Sequence, residues 1–206
     1  MNVTNPRPQL LKARRRHTWI AALPLVFFLL VTDSSWRALS ALNELYQWLG
    51  YFALLLCVLG RAWCSAYIGG RKNYELITLG PYSVVRNPLY VFSFIGVAGI
   101  GLASGTVTFL VALAVLFAAY YRIVVKREEA FLASGFGQAF AGYAARVPRW
   151  WPDFSLWRDA PEIAVRPHFL LITLRDSSVF LLAFPLLELI EWGHEAGLLP
   201  VLLRVP

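Results

Sequence analysis

Charge is scarce in this chain. Only 15% of its 206 residues are Asp, Glu, Lys or Arg, where an average soluble domain carries roughly a quarter. Cysteine is nearly absent. Cys57 and Cys64 are the only two, and they fall seven residues apart in one apolar stretch. On a helix they would share a face and could not bridge without unwinding it, so a disulfide-stapled secreted module is excluded. The three histidines, His17, His168 and His194, are scattered without ligand spacing, and a metal is not expected. Acidic residues are outnumbered, 12 against 19 basic, for a net charge of +7.

What is present is apolar surface. Hydrophobic residues make up 58% of the chain, more than a soluble domain of this size could bury, and disorder is excluded on the same ground. The pattern predicts an all-α polytopic membrane protein. A span takes about 20 residues, and five segments qualify: Thr18 to Val31, with Pro24 inside it, Leu45 to Ala66, Leu89 to Ala103, Thr106 to Val125, and Phe169 to Trp192. The fifth is interrupted by Arg175 and Asp176. The third and fourth are separated only by Ser104-Gly105, which predicts a tight antiparallel hairpin. What remains is too short for an added soluble catalytic domain, so the chain is expected to be a single membrane domain, 1–206, with its chemistry at the membrane. The first segment has the basic lead-in of a signal peptide, Arg14-Arg15-Arg16, but no small-residue cleavage site follows it. It is read as a retained helix.

Basic residues predict orientation. With a cytoplasmic N-terminus, residues 1–17, 67–88 and 122–168 place fifteen Lys and Arg inside, and only Arg37 and Arg204 lie outside. Both long polar stretches then face the cytoplasm, and the net charge follows from topology and contact with anionic lipid. It requires no nucleic acid. A bacterial chain would sit in the inner membrane and a eukaryotic one in the endoplasmic reticulum. Trp150, Trp151 and Trp157 mark the headgroup level. Ala130 to Tyr143 has helix-like aromatic spacing, compatible with lying along the interface or with packing on the bundle.

Three features stand out chemically. Arg86-Asn87-Pro88-Leu89-Tyr90 opens the third helix, with Pro88 in its first turn and Asn87 as the predicted N-cap. Arg86 beside that helix start makes an anion site. Glu128-Glu129 places two carboxylates at the predicted end of the fourth helix, against its dipole. They are either a solvated face or a pair set to bind something cationic or rich in hydroxyls. Arg61 and Arg175 are charges inside spans. Asp176 offsets the second, whereas Arg61 either snorkels or faces an internal polar cavity. Gly99-Ile100-Gly101 with Gly105 imitates a dinucleotide fingerprint, but it lies within a span, where close helix packing explains it better.

Together, Gly80-Pro81-Tyr82, Arg86-Asn87-Pro88-Leu89-Tyr90, the hairpin, Glu128-Glu129, Phe136-Gly137, Tyr143 and Arg146-Val147-Pro148 resemble the isoprenylcysteine carboxyl methyltransferase-like family. Its members are integral membrane methyltransferases related in motif to the phospholipid methyltransferases. The likeness covers about residues 55–152, leaving 153–206 as an extension with the fifth predicted span. It departs at Asn87, where the pattern often has His, at Phe92, where Gly is common, and at Phe140, in place of Tyr. The resemblance implies S-adenosylmethionine as cofactor, in a cytoplasmic pocket, and methyl transfer to a membrane-embedded lipophilic acceptor, lipid-like or prenylated. Carboxylate O-methylation is slightly favoured over amine N-methylation, because a carboxylate needs no base. The implied cofactor residues are Leu79, Gly80, Tyr82, Arg86, Asn87, Pro88, Tyr90, Glu128 and Glu129. Arg146, with Arg86, is the implied catalytic residue that orients the acceptor. Two alternatives stand beside this: a nicotinamide-dependent sterol-reductase-like enzyme, and a non-catalytic membrane adaptor on the same fold.

Overall fold

A computed structural model describes residues 24–35, 40–72 and 74–206. The protein is mostly helical. In chain order the elements are β1 (Thr32–Ser34), α1 (Ser40–Ile68), α2 (Pro81–Val84), α3 (Pro88–Ala103), α4 (Val107–Arg146), α5 (Pro167–Ser178), α6 (Ala183–Glu195) and β2 (Leu203–Val205). Residues 24–31, the described part of the first predicted span, are also helical. The basic lead-in of that span lies outside the described residues.

Among the described residues three helices are long and apolar enough to cross a membrane: Ala41–Ile68, Val107–Arg146 and Pro167–Glu195. The protein is an integral membrane protein. α3 is apolar but has only 16 residues, about 24 Å at 1.5 Å per residue, short of a hydrocarbon core of about 30 Å. Of the five predicted spans, three are full-length among the described residues, α3 is short, and the first lies partly outside the described residues.

The predicted hairpin forms. Ser104 ends α3, Gly105 takes a positive φ of 67°, and Thr106 starts α4. The small residues of α3 serve packing. A Cβ on Gly99 would stand 2.9 Å from the Gly50 carbonyl of α1, and one on Gly101 would stand 2.5 Å from Leu110 of α4. These backbones approach closely because nothing lies between them.

α5 and α6 run antiparallel to α1 and pair with it by polar side chains. Ser65 shares a hydrogen bond of 2.8 Å with Thr173, Arg61 Nε donates to Ser177 over 2.8 Å, Tyr51 donates to Glu188, and Gln47 donates to Glu191 over 2.7 Å. Between α5 and α6 the helix tightens to a 3-10 turn at Val179–Leu182. Pro185 explains it: it has no N–H for the Leu181 carbonyl and its ring crowds that group. The all-α expectation needs one correction. β1 and β2 pair in parallel, Thr32 opposite Leu203, at the end of the bundle that also holds the α3–α4 turn.

One helix boundary and one cap differ from expectation. The fourth segment does not end near Val125. α4 continues through Glu128 and Glu129 and bends at Gly137, where φ is 49°, before stopping ahead of Pro148. The two glutamates therefore sit inside a helix, about 32 Å along it from Val107. Asn87 does occupy the N-cap position of α3, but its side chain makes no capping bond.

Candidate functional site

The site forms where the short α3 begins, between two longer neighbours. The chain approaches through a tight turn. Gly80 has φ 57°, and a Cβ there would meet the Tyr67 ring at 2.3 Å, so glycine is required by both conformation and space. Ser83 Oγ donates to the Gly80 carbonyl over 2.7 Å and accepts from Arg158 N at 3.0 Å. Gly80 N reaches the Arg158 carbonyl at 2.8 Å, and Arg86 N the Pro148 carbonyl at 2.8 Å. The 148–166 segment thus straps the loop onto α1, helped by Tyr67, which donates to Asp159, and by Trp157 stacked on Trp63 at 5.7 Å.

Beneath that loop lies a cavity of about 280 Å³, near the lower end of the range for ligand pockets, roughly 300–1,000 Å³. Of the residues singled out from sequence, Tyr82, Arg86, Asn87, Pro88, Tyr90 and Glu128 line it together. Leu79, Gly80, Glu129 and Arg146 do not. Leu79 is exposed, Gly80 shapes the turn, and Arg146 is exposed on the last turn of α4. Phe92, which stands where the family pattern commonly has Gly, is also off the cavity: its ring lies over Gly60 of α1, where a Cβ would meet it at 2.1 Å.

The adjacent glutamates have different surroundings. Glu129 is buried and receives Arg149 through Nη2 at 2.7 Å and Nε at 3.1 Å, Arg86 Nη1 at 3.4 Å, and Asn87 Nδ2 at 3.3 Å. Its lone pairs are largely taken by the protein itself. Those hydrogen bonds hold the Arg149 guanidinium above its already high ordinary pKa. Glu128 faces the cavity, where Tyr90 donates to Oε2 over 2.7 Å and Lys72 Nζ stands 2.6 Å from Oε1.

Among the described residues, two side-chain polar atoms here are buried without a hydrogen-bond partner: the Tyr82 hydroxyl and Arg86 Nε. Such groups cost roughly 1–3 kcal/mol each when left unsatisfied and mark where a ligand's acceptors would fit. Burial pushes the Tyr82 phenol well above its usual range, with nearby Cys64 and Glu128 adding to the shift, so it stays a donor. Tyr143, from beyond the α4 bend, donates to the Tyr82 carbonyl over 2.8 Å and closes the far wall.

Sequence reasoning missed Lys72, Arg149 and Tyr121. Tyr121 lines the cavity and stacks on Phe117 at 4.0 Å, with Tyr90 at 4.8 Å. A polar stretch so near the motifs could have flagged Lys72 and Arg149, but their partners lie 56 and 20 residues away. Among the described residues no group of three His, Cys, Asp or Glu side chains is placed to hold a metal ion.

Long apolar helices around a polar, ligand-sized recess define an integral membrane protein. Residues 61–139 match the phospholipid methyltransferase family. The chain is 32% identical to the nickel-cobalt-cadmium resistance protein NccN of Alcaligenes xylosoxydans xylosoxydans, over 98% of this chain and 94% of the relative. It is 37% identical to the cobalt-zinc-cadmium resistance protein CzcN of Cupriavidus metallidurans, over 81% of this chain and 74% of that one. A shorter likeness, 31% identical over 37% of this chain and 33% of the relative, is to the protein-S-isoprenylcysteine O-methyltransferase of Schizosaccharomyces pombe. The chain belongs to the integral membrane methyltransferase family of phospholipid and isoprenylcysteine carboxyl methyltransferase-like proteins. No solved structure matches it.

Proposed function

We propose that the chain transfers a methyl group from S-adenosylmethionine to a lipophilic acceptor in the membrane. One observation carries this reading. The family segment builds a cavity whose wall combines an accessible carboxylate, Glu128, with two unspent buried donors, Tyr82 Oη and Arg86 Nε. That donor set suits a zwitterionic cofactor. Glu128 and Tyr90 would hold its amino group or ribose hydroxyls, a charge-assisted bond being worth about 1.5–3 kcal/mol. Arg86 and Tyr82 would take its carboxylate, with Asn87, Pro88 and Tyr121 beside it. Bound there, S-adenosylmethionine supplies an activated methyl group on a sulfonium.

The protein's part is to position and desolvate. Glu129 does not face the cavity. It holds Arg86, Arg149 and Asn87 in their places and thereby sets the cofactor wall. Carboxylate O-methylation is slightly favoured over amine N-methylation, because a carboxylate arrives ionised whereas an amine must first lose a proton. On the charge asymmetry of the loops, the cavity end faces the cytoplasm. The cofactor then enters from water and the acceptor from the bilayer. Two relatives carry names of cation resistance, and this suggests where the activity is used. Esterifying a membrane acid removes negative charge at which divalent cations collect.

Calorimetric titration of the purified protein tests the reading. Binding of S-adenosylmethionine and S-adenosylhomocysteine, without binding of NADPH, is the expected result. NADPH binding alone would favour a reductase, and no binding of any of the three by folded protein would favour an adaptor. Either result sinks the proposal.

A further inference from the structure

Arg61 lies inside the first full span, seven residues before the end of α1 and thus about 10 Å below it. A cation at that depth is costly unless it faces protein or polar space. It faces both. Its Nε donates to Ser177 of α5 over 2.8 Å and its Nη1 donates to Ser93 of α3. Ser93 spends its own proton on the Leu89 carbonyl, at 2.7 Å, so it serves Arg61 purely as an acceptor. Ser177 is fully buried. Both hydroxyls orient the guanidinium without neutralising it.

The other cations of the cavity wall are neutralised, Lys72 by Glu128 and Arg86 by Glu129. Arg61 also lines the cavity, yet among the described residues it has no carboxylate within ion-pair distance. A guanidinium has five N–H donors in a planar fork, and two are in use. The remainder share the cavity with the unpartnered Tyr82 hydroxyl, which is itself more than nine-tenths buried.

We propose that Arg61 is the residue that binds the acceptor's anionic end, a carboxylate on a long apolar chain, at the membrane side of the cavity. The role expected of Arg146 passes to a residue outside the motif set. This rests on the methyl-transfer reading above. In the step, a carboxylate oxygen bonds to the methyl carbon, the carbon–sulfur bond breaks, and its electron pair stays on sulfur as a thioether. No proton moves. Carboxylate and sulfonium charges vanish together, so the ester gives Arg61 only a neutral acceptor, a weaker partner than the acid. Arg61 thus separates substrate from product.

The test uses the full chain in phosphatidylcholine nanodiscs without cofactor. Labelled hexadecanoate is the probe, and hexadecylamine and methyl hexadecanoate are competitors. Hexadecanoate should bind wild type and bind Arg61→Gln about tenfold more weakly, about 1.4 kcal/mol, while S-adenosylmethionine affinity is unchanged. Neither competitor should displace the acid. Should Arg61→Gln fail to fold, Arg61→Lys and Ser177→Ala replace it, each expected to weaken acid binding several-fold. Equal binding of hexadecanoate by wild type and these variants, or displacement by the amine as readily as by the acid, overturns the proposal. If S-adenosylmethionine does not bind wild type but acid binding still depends on Arg61, the anion site stands and the methyl-transfer reading falls. If S-adenosylmethionine binds but acid binding ignores residue 61, the reverse holds.

Discussion

The two ends of the bundle are closed by different means. At the end holding the α3–α4 turn, closure is mostly by backbone. β1 pairs with β2, Leu202 N reaches the Val31 carbonyl at 2.8 Å, Ser34 Oγ donates to the Gly105 carbonyl over 2.8 Å, and Thr108 N reaches the Pro206 carbonyl at 2.9 Å. The space left there is about 30 Å³, room for about one water. At the other end backbone bonds strap only the outer loop, Gly80 N to the Arg158 carbonyl and Arg86 N to the Pro148 carbonyl, and the elements beneath it are tied by charged side chains on long stems: Lys72, Arg86 and Arg149 on Glu128 and Glu129. Backbone groups pair at fixed short range and draw segments together. Long side chains hold their elements apart, and the cavity is what remains between them. One end is sealed and the other is built around a space.

Four substitutions would break or sharpen this contrast. The largest effect is expected from Gly50→Leu near the sealed end. A Cβ there would stand 2.5 Å from Ala103 N and 2.7 Å from the Gly99 carbonyl. Both are backbone atoms that cannot rotate away, so a loss of about 3 kcal/mol or more is expected, read as a lower thermal midpoint in detergent. Glu129→Ala comes next. It strands Arg86, whose side chain is only 14% exposed, while Arg149 regains water. A loss of about 2–4 kcal/mol is expected, with weaker cofactor binding as a by-product. A variant of wild-type stability that lost only cofactor affinity would instead make Glu129 a ligand. Glu128→Gln should do what Glu129→Ala does not: lower S-adenosylmethionine affinity about tenfold while the thermal midpoint holds, since Lys72 is half exposed and regains water.

Tyr82→Phe should give the smallest loss: at neutral pH it removes a buried unsatisfied hydroxyl and should not destabilise, and its distinctive signature lies in alkali. The phenol is raised in the folded state, so the unfolded chain releases its proton first, near pH 10. Stability is unaffected by this group below that pH and falls as pH rises above it. Unfolding midpoints from pH 8 to 11 should decline less steeply in the Phe variant than in wild type. Parallel declines would show that burial at Tyr82 is not felt.

Much of the scaffold was legible in the sequence because spans and turns announce themselves locally. Leu89 to Ala103, the Ser104-Gly105 turn and the fifth segment lie within a few residues of the observed α3, hairpin and α5–α6 pair. The end of α4 was misplaced because Lys126-Arg127-Glu128-Glu129 reads as a boundary of apolar sequence. Charged residues are good helix formers, however, and nothing breaks the helix before Gly137. Six of the expected cofactor residues do meet at one cavity, since they flank a turn and the hairpin. The division of labour between Glu128 and Glu129 was not legible, nor were the partners of Arg61. Adjacent residues on a helix point about 100° apart, and Ser93 and Ser177 lie 32 and 116 residues from Arg61. No local pattern encodes such pairs.

The shortness of α3 also acts on the lipid. A helix of about 24 Å in a leaflet pair whose oily layer is about 30 Å thick makes the bilayer adapt, at fractions of a kcal/mol per Å. The chain reverses tightly at Ser104-Gly105, so α3 cannot gain length at that end. The deficit falls where Pro88 begins, beside the cavity. By the general mismatch rule, any thinning of the bilayer would be greatest on that side, where an amphiphile's head would then have the shortest distance to travel to the site.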